Sequence, residues 1–268
     1  MKLNLTVKNI NKYVAGEFVQ KYHYSKVFPR LTSHYLGFFQ NKSELIGVVT
    51  LGFGTQPSAT INKLMPGLKP KDYWEIGKMC LIDSEEKNRG SQVLSEVIKW
   101  IKINEPEKLF LYTLADGIVS KLGIQYQASN FYYGGYFYTD VYLSKEGEKI
   151  HPRSSKELCK ENAKFCGKEK IFWLTKEFCK LKGISRVRGK MFRYIMPLSK
   201  KARKMLDTSS TVKWTNNDYP KEKDLEWKIQ TDDGYKLLTE MPQMNLSVVN
   251  INKKNVESYQ RKDNEFFG

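Results

Sequence analysis

The stretch Asp116–Gly135, which reads DGIVSKLGIQYQASNFYYGG, shapes the interpretation of the whole chain. It follows the apolar, strand-like run 109–114 and begins with an acid and a glycine. Its apolar residues then recur at a spacing that predicts one helix, and it closes on three aromatic residues and two glycines. A strand, a carboxylate at its carboxyl end, a helix and a glycine turn together are typical of a functional site in an α/β fold.

The flanking segments continue this alternation of strands and helices. From the N-terminus the pattern predicts a strand, a helix, a β-hairpin, a further strand, and an amphipathic helix over 91–103 that Ser91 caps. The strand 109–114, the Asp116 stretch and a last strand over 136–143 complete the order. The hairpin needs antiparallel neighbours and the helical crossovers need parallel ones. The predicted fold class is therefore α/β, a mixed central sheet flanked by helices.

The charge of +16 is concentrated in one segment. Residues 1–150 hold 19 Lys and Arg against 14 Asp and Glu, residues 151–204 hold 17 against 4, and residues 205–268 hold 9 against 11. We interpret the basic segment, which also contains aromatic residues, as a polyanion-binding extension. The alternative is a solvated lysine-rich surface. The predicted organisation is a catalytic domain over 1–150, a basic extension over 151–206 and an irregular tail over 207–268.

The spacing of the cysteines and the hydropathy of the chain indicate the compartment in which the protein works. The four cysteines form no CxxC pair and no zinc-knuckle spacing, so we expect reduced thiols and no metal site. The N-terminal residues are too poor in apolar content for a signal peptide, and no run is long enough to span a bilayer. These features predict a cytoplasmic protein without a membrane partner.

A turn before the helix 91–103 is a candidate anion site. It reads Asn88-Arg89-Gly90-Ser91 and follows the strand 73–83. The first amides of a helix have no intrahelical acceptor, and the helix dipole favours an anion there. Acyltransferases of the GNAT type hold the pyrophosphate of their donor at such a turn, with a longer glycine-rich motif of which Arg89-Gly90 remains here. An ordinary helix start is the alternative.

Several short motifs carry a resemblance to a known family. They are His23-Tyr24-Ser25, the run EIGKMCL over 75–81, Ala115-Asp116-Gly117, the run YQASNF over 126–131 and the run KMFRYI over 190–195. Over roughly residues 20–205 the chain resembles the Mom family of phage DNA-modification proteins. This resemblance implies a GNAT-like fold. It also implies conversion of adenine in phage DNA to a carbamoylmethyl derivative at the exocyclic amine, which protects the DNA from host restriction enzymes.

The resemblance also implies site residues. His23, Tyr24 and Asp116 are the positions that correspond to active-site residues, with Asp116 or His23 as the base. Lys78 stands where the family usually has an arginine, and it lacks the bidentate fork of that side chain. Together with the turn residues Asn88, Arg89, Gly90 and Ser91 it forms the expected cofactor site. The expected nucleic-acid contacts are the rings that could stack on a flipped base and the basic groups that could hold phosphates: Tyr126, Tyr132, Tyr133, Arg186, Arg188, Lys190 and Arg193.

Two kinds of donor and several classes of function are compatible with the sequence. The donor is either acyl-CoA, such as acetyl-CoA, or an aminoacyl-tRNA, such as glycyl-tRNA, which would suit so basic a protein. The expected partner is double-stranded DNA with a flipped adenine, and tRNA if it is the donor. The competing functions are a GNAT acetyltransferase that acts on protein or small-molecule amines, and a non-enzymatic DNA-binding protein. For a phage-encoded protein the expected compartment is the host cytoplasm.

Overall fold

The computed structural model describes residues 3–25, 31–54, 57–83, 86, 88–150 and 155–250. Strands β1 to β11 span, in chain order, Leu5–Asn9, Thr32–Gln40, Glu44–Gly52, Tyr73–Leu81, Phe110–Asp116, Tyr132–Leu143, Glu148–Ile150, Ser185–Pro197, Trp227–Thr231, Gly234–Leu238 and Asn245–Asn250. Helices α1 to α7 span Lys12–Tyr22, Ile61–Leu64, Arg89–Asn104, Ile124–Gln127, Ser155–Phe165, Lys176–Lys182 and Lys200–Ser209.

The chain divides into two compact units. The first unit comprises residues 1–116, 121–136 and 192–221, and the second comprises 117–120, 137–191 and 222–268. Strands β6 and β8 each contribute residues to both units. These limits differ from the expected boundaries at 150 and 206, because the basic segment is divided between the two units.

The first unit contains a mixed sheet. Strands β1 to β4 pair in order as antiparallel neighbours, and β4 pairs with β5 in parallel. This confirms the predicted α/β class with a mixed sheet and helices. The pairs between β4 and β5 run from Tyr73 with Phe110 to Glu75 with Tyr112, near the start of both strands. Helix α3 is the crossover between these two strands, as parallel pairing requires.

Both faces of this sheet are covered by apolar side chains. Helix α1 packs on β2, β3 and β4 and buries Ala15, Phe18 and Val19. Helix α3 buries a stripe at helical spacing, namely Val93, Leu94, Val97 and Ile101. A further cluster joins the sheet to α2 and α7, and it comprises Ile61, Leu64, Met65, Leu68, Tyr73, Phe110, Tyr112, Ile195, Ala202 and Leu206.

The second unit has its own strand order, β10-β9-β8-β6-β7-β11. One apolar cluster joins Ile118 to residues of β6 and β8, namely Val141, Leu143 and Val187. Trp227 fixes β9 to the same region, because its indole Nε1 donates to the Ile118 carbonyl oxygen over 2.9 Å. Helices α5 and α6 form a second cluster around Leu174, Phe178 and Cys179. The lysine-rich region before β8 thus contains two short helices.

The Asp116 stretch departs from the predicted single helix. It forms a 3-10 turn over Gly117–Val119 and then the one-turn helix α4. Ser120 has φ 58° and Gly123 has φ 74°, both in the left-handed region, so a continuous right-handed helix cannot pass through them. Apolar spacing alone did not reveal this interruption.

Two other expectations differ from the structure. Helix α3 begins at Arg89 after Asn88, which has φ 64°, and the Ser91 hydroxyl donates to the Asn88 carbonyl oxygen instead of capping an amide. The region expected to be an irregular tail contains β9, β10 and β11. Their pairing with β8 and β7 supplies the order that the polar sequence does not indicate. Residues 251–268 of that predicted tail lie outside the described residues.

Candidate functional site

A cavity of about 570 Å³ lies within the first unit. Its walls are the later residues of β4, the end of β5, the start of α3 and helix α4, together with the segment that follows α1. It therefore lies where β4 and β5 continue beyond their last registered pair, Glu75 with Tyr112. His23, Tyr24 and Asp116 all line this cavity, so the structure brings the three predicted catalytic residues together.

The backbone of Ser25 fixes the His23 ring. The Ser25 amide nitrogen and its carbonyl oxygen both lie 2.9 Å from His23 Nδ1. Burial, followed by the charge of Lys78, lowers the pKa of His23 from 6.5 to about 3. The imidazole is therefore neutral near pH 7. A group that resists protonation this strongly is a poor proton acceptor, which disfavours His23 as the base.

Tyr24 lies directly against His23. The two rings stack with centroids 4.4 Å apart and planes 24° apart. Burial, followed by the negative charge of Asp116, raises the pKa of the Tyr24 phenol above its usual value. The hydroxyl therefore stays protonated over the physiological range and can donate a hydrogen bond. Asp116, the last residue of β5, is the carboxylate that acts on it.

Lys78 links β4 to the segment after α1. Its Nζ donates to the Ser25 hydroxyl over 2.7 Å, and Lys78 lines the cavity with His23. The ammonium group therefore lies beside the candidate catalytic residues, whereas the sequence interpretation placed it with the donor. Lysine can supply this positive charge and the contact with Ser25 without the fork of an arginine.

The turn before α3 also lines the cavity, and all four predicted residues, Asn88 to Ser91, belong to the wall. The Arg89 guanidinium donates to Glu86 over 2.8 Å, to the Ile82 carbonyl oxygen over 3.1 Å and to Gln40 over 3.2 Å. This side chain therefore fastens the turn to the sheet. Because the Arg89 guanidinium makes these contacts, the backbone amides at the start of α3 are the groups of this turn that are suited to bind an anion.

The absence of a side chain at Gly90 lets α3 begin close to α4. A Cβ atom at Gly90 would lie 3.1 Å from Gln125 Cβ and 3.6 Å from Met79 Cε. The first of these distances is tighter than ordinary van der Waals contact, so a larger side chain there would have to displace the cavity wall.

The three tyrosines expected to stack on a base have different surroundings. Tyr126 lines the cavity, but its ring is buried and packs 5.5 Å from both Phe131 and Tyr194. Tyr132 packs against the apolar cluster under α7, with Arg203 5.9 Å above its ring. Tyr133 pairs through its backbone with Thr215. Among the described residues, only Tyr126 of these three belongs to the cavity wall.

The four predicted phosphate-binding residues all make internal contacts. Arg186 and Arg188 both form an ion pair with Asp140. Lys190 donates to the Asp224 carbonyl oxygen over 2.8 Å, and Arg193 donates to the Gly134 carbonyl oxygen over 3.2 Å. Arg193 belongs to the first unit, and the other three belong to the second.

Three residues near the site were not singled out from the sequence. Lys121 lines the cavity, and its charge contributes to the lowered pKa of His23. Ser25 contacts both His23 and Lys78. The sequence indicated Ser25 only as the last residue of the quoted His23-Tyr24-Ser25 motif. Glu75 is the third, because burial raises the pKa of its carboxyl to about 7. Glu75 opens the quoted run 75–81, but that run does not indicate its burial, because Gly54 lies against its carboxyl group and Tyr112 of β5 pairs with it.

The described residues contain no group of three or more His, Cys, Asp or Glu side chains placed to hold a metal ion. No helix among them is both long and apolar enough to cross a membrane.

Comparison with known proteins identifies relatives over most of the chain. The model of the Mom protein family matches residues 4–221. A protein named methylcarbamoylase Mom, from Escherichia phage Mu, is 28% identical over 205 residues, which cover 76% of this chain and 80% of that protein.

Similar solved structures include GNAT proteins. An Escherichia coli GNAT family N-acetyltransferase in complex with CoA has a TM-score of 0.33 at 12% identity, over 49% of this chain and 69% of that one. A Sphaerobacter thermophilus protein described as an acetyltransferase has a TM-score of 0.35 at 8% identity, over 74% and 98%. A tandem GNAT protein of clavulanic acid biosynthesis has a TM-score of 0.35 at 6% identity, over 84% and 74%.

Proposed function

This chain belongs to the Mom protein family, and from that premise we propose that it is an enzyme that modifies the exocyclic amine of adenine in DNA. The relative from phage Mu is named a methylcarbamoylase, which supports transfer of an acyl- or carbamoylmethyl-type group. The observation that carries the proposal is the meeting of His23, Tyr24 and Asp116 around one cavity. By its family resemblance, the product would protect phage DNA from host restriction.

Asp116, Tyr24 and His23 each have a separate role in the proposed reaction. A new bond forms between adenine N6 and the transferred group, while the bond between that group and its donor breaks. N6 must lose a proton as the bond forms, and the Asp116 carboxylate is the proposed acceptor. The leaving atom of the donor develops negative charge, and we propose that the Tyr24 hydroxyl donates a hydrogen bond to it because this phenol stays protonated. The departing group then takes its proton from solvent. His23, as a neutral ring stacked on Tyr24, positions that hydroxyl.

The proposed reaction requires adenine to leave the duplex. An exocyclic amine inside a base pair is not accessible to the carboxylate of a cavity, so the base must be extruded. The cavity of about 570 Å³ falls within the usual size range of small-molecule sites, so it has space for a single base and the end of a donor. Lys78 and Lys121 on its wall supply positive charge for the phosphate next to that base.

Nucleoside analysis tests the proposal. Plasmid DNA from cells that express the wild type is digested to nucleosides and analysed by mass spectrometry, beside DNA from cells with Asp116→Asn and with Asp207→Asn. Asp207 is an exposed carboxylate of α7 and makes a matched control. We expect a modified deoxyadenosine with the wild type and the control, and a loss of about 100-fold or more with Asp116→Asn.

The same analysis separates the competing functions. Only standard nucleosides in the presence of folded wild-type protein would overturn the proposal. If they occur together with acetylation of added amines, the chain is an acetyltransferase of another substrate class. A biological effect that Asp116→Asn and His23→Gln leave unchanged would indicate a non-enzymatic DNA-binding protein.

An acyl-CoA thioester is the donor that we propose for the acyl form of this transfer. Adenine N6 attacks the thioester carbonyl carbon, an amide bond forms, the carbon–sulfur bond breaks, and CoA leaves as the thiol. The start of α3 forms part of the wall, and its amides favour the phosphates of such a donor. Calorimetric titration of the purified protein with CoA should show binding, and Gly90→Val should weaken it at least about tenfold, because a Val side chain must displace Gln125. Absence of CoA binding, with label from glycyl-tRNA in the modified base, would replace this donor by an aminoacyl-tRNA.

A further inference from the structure

One face of the second unit's sheet combines tyrosine rings with cationic side chains. Alternating residues of β6, β8, β9 and β10 project to this side, and we name their set the tyrosine–arginine face. It consists of Tyr138, Asp140, Arg186, Arg188, Lys228 and Tyr235. The register supports the shared side, because Arg188 lies opposite Lys228 on β9, and Tyr235 lies opposite Gln230, two residues further along that strand. The intervening residues, such as Val141 and Val187, point into the apolar cluster around Ile118.

Asp140 organises the centre of this face. Arg188 donates to it through Nε over 2.7 Å and through Nη2 over 3.0 Å, and Arg186 donates through Nε over 3.0 Å and through Nη2. Partial burial opposes ionisation, but hydrogen bonds from Arg188 and then Arg186 hold the pKa of Asp140 below its usual range. The carboxylate therefore stays charged and fixes both guanidinium groups in place. Each guanidinium has five N–H donors, so Asp140 does not exhaust them.

Two cations lie over tyrosine rings. The Arg188 guanidinium is 4.2 Å from the centroid of Tyr235, and the Lys228 ammonium is 4.7 Å from the centroid of Tyr138. Glu226 fixes the second pair, since it accepts from the Tyr138 hydroxyl over 2.7 Å and from Lys228 over 2.6 Å. The Tyr138 side chain is nevertheless 40% exposed. These rings are held in position while part of their surface stays accessible to solvent.

Positive charge continues beside the face. A groove of about 320 Å³ adjoins Arg186, and its walls include Lys176 and Lys180 of α6 and Asp232. Both lysines pair with Asp232, at 3.4 Å and 3.2 Å. The face and the groove together carry three lysines and two arginines against Asp140, Glu226 and Asp232. The balance is positive, and it runs across adjoining elements of one unit.

We propose that the tyrosine–arginine face binds single-stranded DNA, with bases stacked on Tyr138 and Tyr235 and phosphates held by Arg186, Arg188 and Lys228. Stacked aromatic rings among fixed cations are the arrangement by which proteins hold unpaired bases without reading sequence. Duplex DNA would contact only the cations, because its bases are stacked on each other. The choice of DNA over RNA rests on the proposed function, whereas the choice of an unpaired strand rests on the rings.

Fluorescence anisotropy of the full chain tests this proposal. The probes are a labelled DNA strand of about twelve nucleotides, its duplex and the RNA strand of the same sequence. The proteins are the wild type, the double variant Tyr138→Leu/Tyr235→Leu and the control Tyr13→Leu. Tyr13 also lies under a lysine, at 4.8 Å from Lys12, but belongs to the first unit.

We expect the double variant to bind the DNA strand at least about tenfold more weakly, with its duplex binding changed less than about twofold. The control should bind all probes as the wild type does. Equal losses for strand and duplex, or no loss, would overturn the proposal, and tighter binding of the RNA strand would replace DNA by RNA.

A second variant keeps the proposal testable if the double variant does not fold. Lys228→Gln removes a half-buried ammonium group near the start of β9 and should reduce the salt dependence of strand binding by about one phosphate contact. An unchanged salt dependence would contradict a phosphate at Lys228.

The experiments also distinguish failure of the proposed function from failure of this inference. If DNA is unmodified while the variants lose strand binding, only the proposed function fails, and if DNA is modified while the variants bind normally, only this inference fails.

Discussion

The imidazole of His23 and the phenol of Tyr24 form a stacked pair at the cavity wall, with ring centroids 4.4 Å apart. They are consecutive residues, and the chain can place both at the cavity because α1 ends at Tyr22 and His23 is extended. Both rings are neutral near pH 7, since burial lowers the pKa of His23 and raises that of Tyr24. The pair therefore presents a hydrogen-bond donor close to the charge of Asp116.

Removal of one hydroxyl tests the role of Tyr24. Tyr24→Phe keeps the ring stacked on His23 and removes the proposed hydrogen-bond donor to the leaving atom, so we expect adenine modification to fall by about 100-fold or more. Nucleoside mass spectrometry measures the product, and Tyr13→Phe, on α1, is the matched control. Modification by Tyr24→Phe at the wild-type level would exclude the hydroxyl from the chemistry.

His23 makes the stability of the protein depend on pH. The unfolded chain binds a proton at this residue near pH 6.5, whereas the folded chain binds it only near pH 3. The contribution of His23 to stability is thus fully present above about pH 6.5 and is lost as the pH falls, at about 1.4 kcal/mol per pH unit. Urea unfolding at about pH 7.5 and about pH 5.5 should show wild type losing more stability than His23→Gln. Equal losses would mean that His23 is protonated in the folded protein.

Lys78 should affect the titration of His23 directly. Its positive charge is the second-largest cause of the lowered pKa, so Lys78→Met should raise the pKa of His23 while burial keeps it below 6.5. An NMR titration of the imidazole resonances, assigned with His23→Gln, measures the shift. Lys12→Met, at the start of α1, is the control and should leave the His23 resonance unchanged. A pKa of His23 that Lys78→Met leaves in place would show that the two groups are not neighbours in solution.

Glu75 should destabilise the folded protein at high pH. Burial raises the pKa of its carboxyl from 4.5 to about 7, so the folded state favours the protonated form. The stability that this proton provides is fully present below about pH 4.5 and is lost as the pH rises through about 7. Glu75→Gln should therefore stabilise the protein at about pH 8, by on the order of 1–3 kcal/mol, with little effect near pH 4.5.

The control for this measurement is Glu107→Gln, which changes an exposed glutamate on the turn before β5. We expect its stability to follow that of the wild type at both pH values. If Glu75→Gln is less stable than the wild type at about pH 8, the ionised carboxylate has a stabilising partner and the interpretation of Glu75 is wrong.

Gly134 and Trp214 should be energetically coupled. A Cβ atom at Gly134 would lie 2.2 Å from Trp214 Cζ3, so Gly134→Ala forces the indole to move. We expect Gly134→Ala to lower the free energy of unfolding by about 2 kcal/mol, and by less than about 1 kcal/mol when the same change is made in a Trp214→Leu background. Thermal and urea unfolding of the four proteins measure the coupling, and additive losses would contradict the contact.

The sequence alone determined the order of the strands and helices in the first part of the chain, up to β5. Alternating and helical apolar spacing predicted the strands from β1 to β5, helices α1 and α3, and a carboxylate at the end of a strand, because each of these depends on neighbours within a few residues. The short motifs also indicated the family. The apolar spacing after Asp116 predicted a helix where left-handed residues interrupt the chain, because apolar spacing does not report φ.

Only the tertiary structure decided which chemical groups meet. His23 and Asp116 are 93 positions apart in the sequence, and they share a cavity because β4 and β5 pair only near their starts. Burial and the Lys78 charge make His23 a poor base, and neither is visible in its local sequence. Asp140 likewise engages Arg186 and Arg188 through adjacent strands, so the run of basic residues that the sequence shows becomes a set of fixed charges beside tyrosine rings. Charge can be counted along a chain, but ion pairing and burial depend on residues that are distant in sequence and close in space.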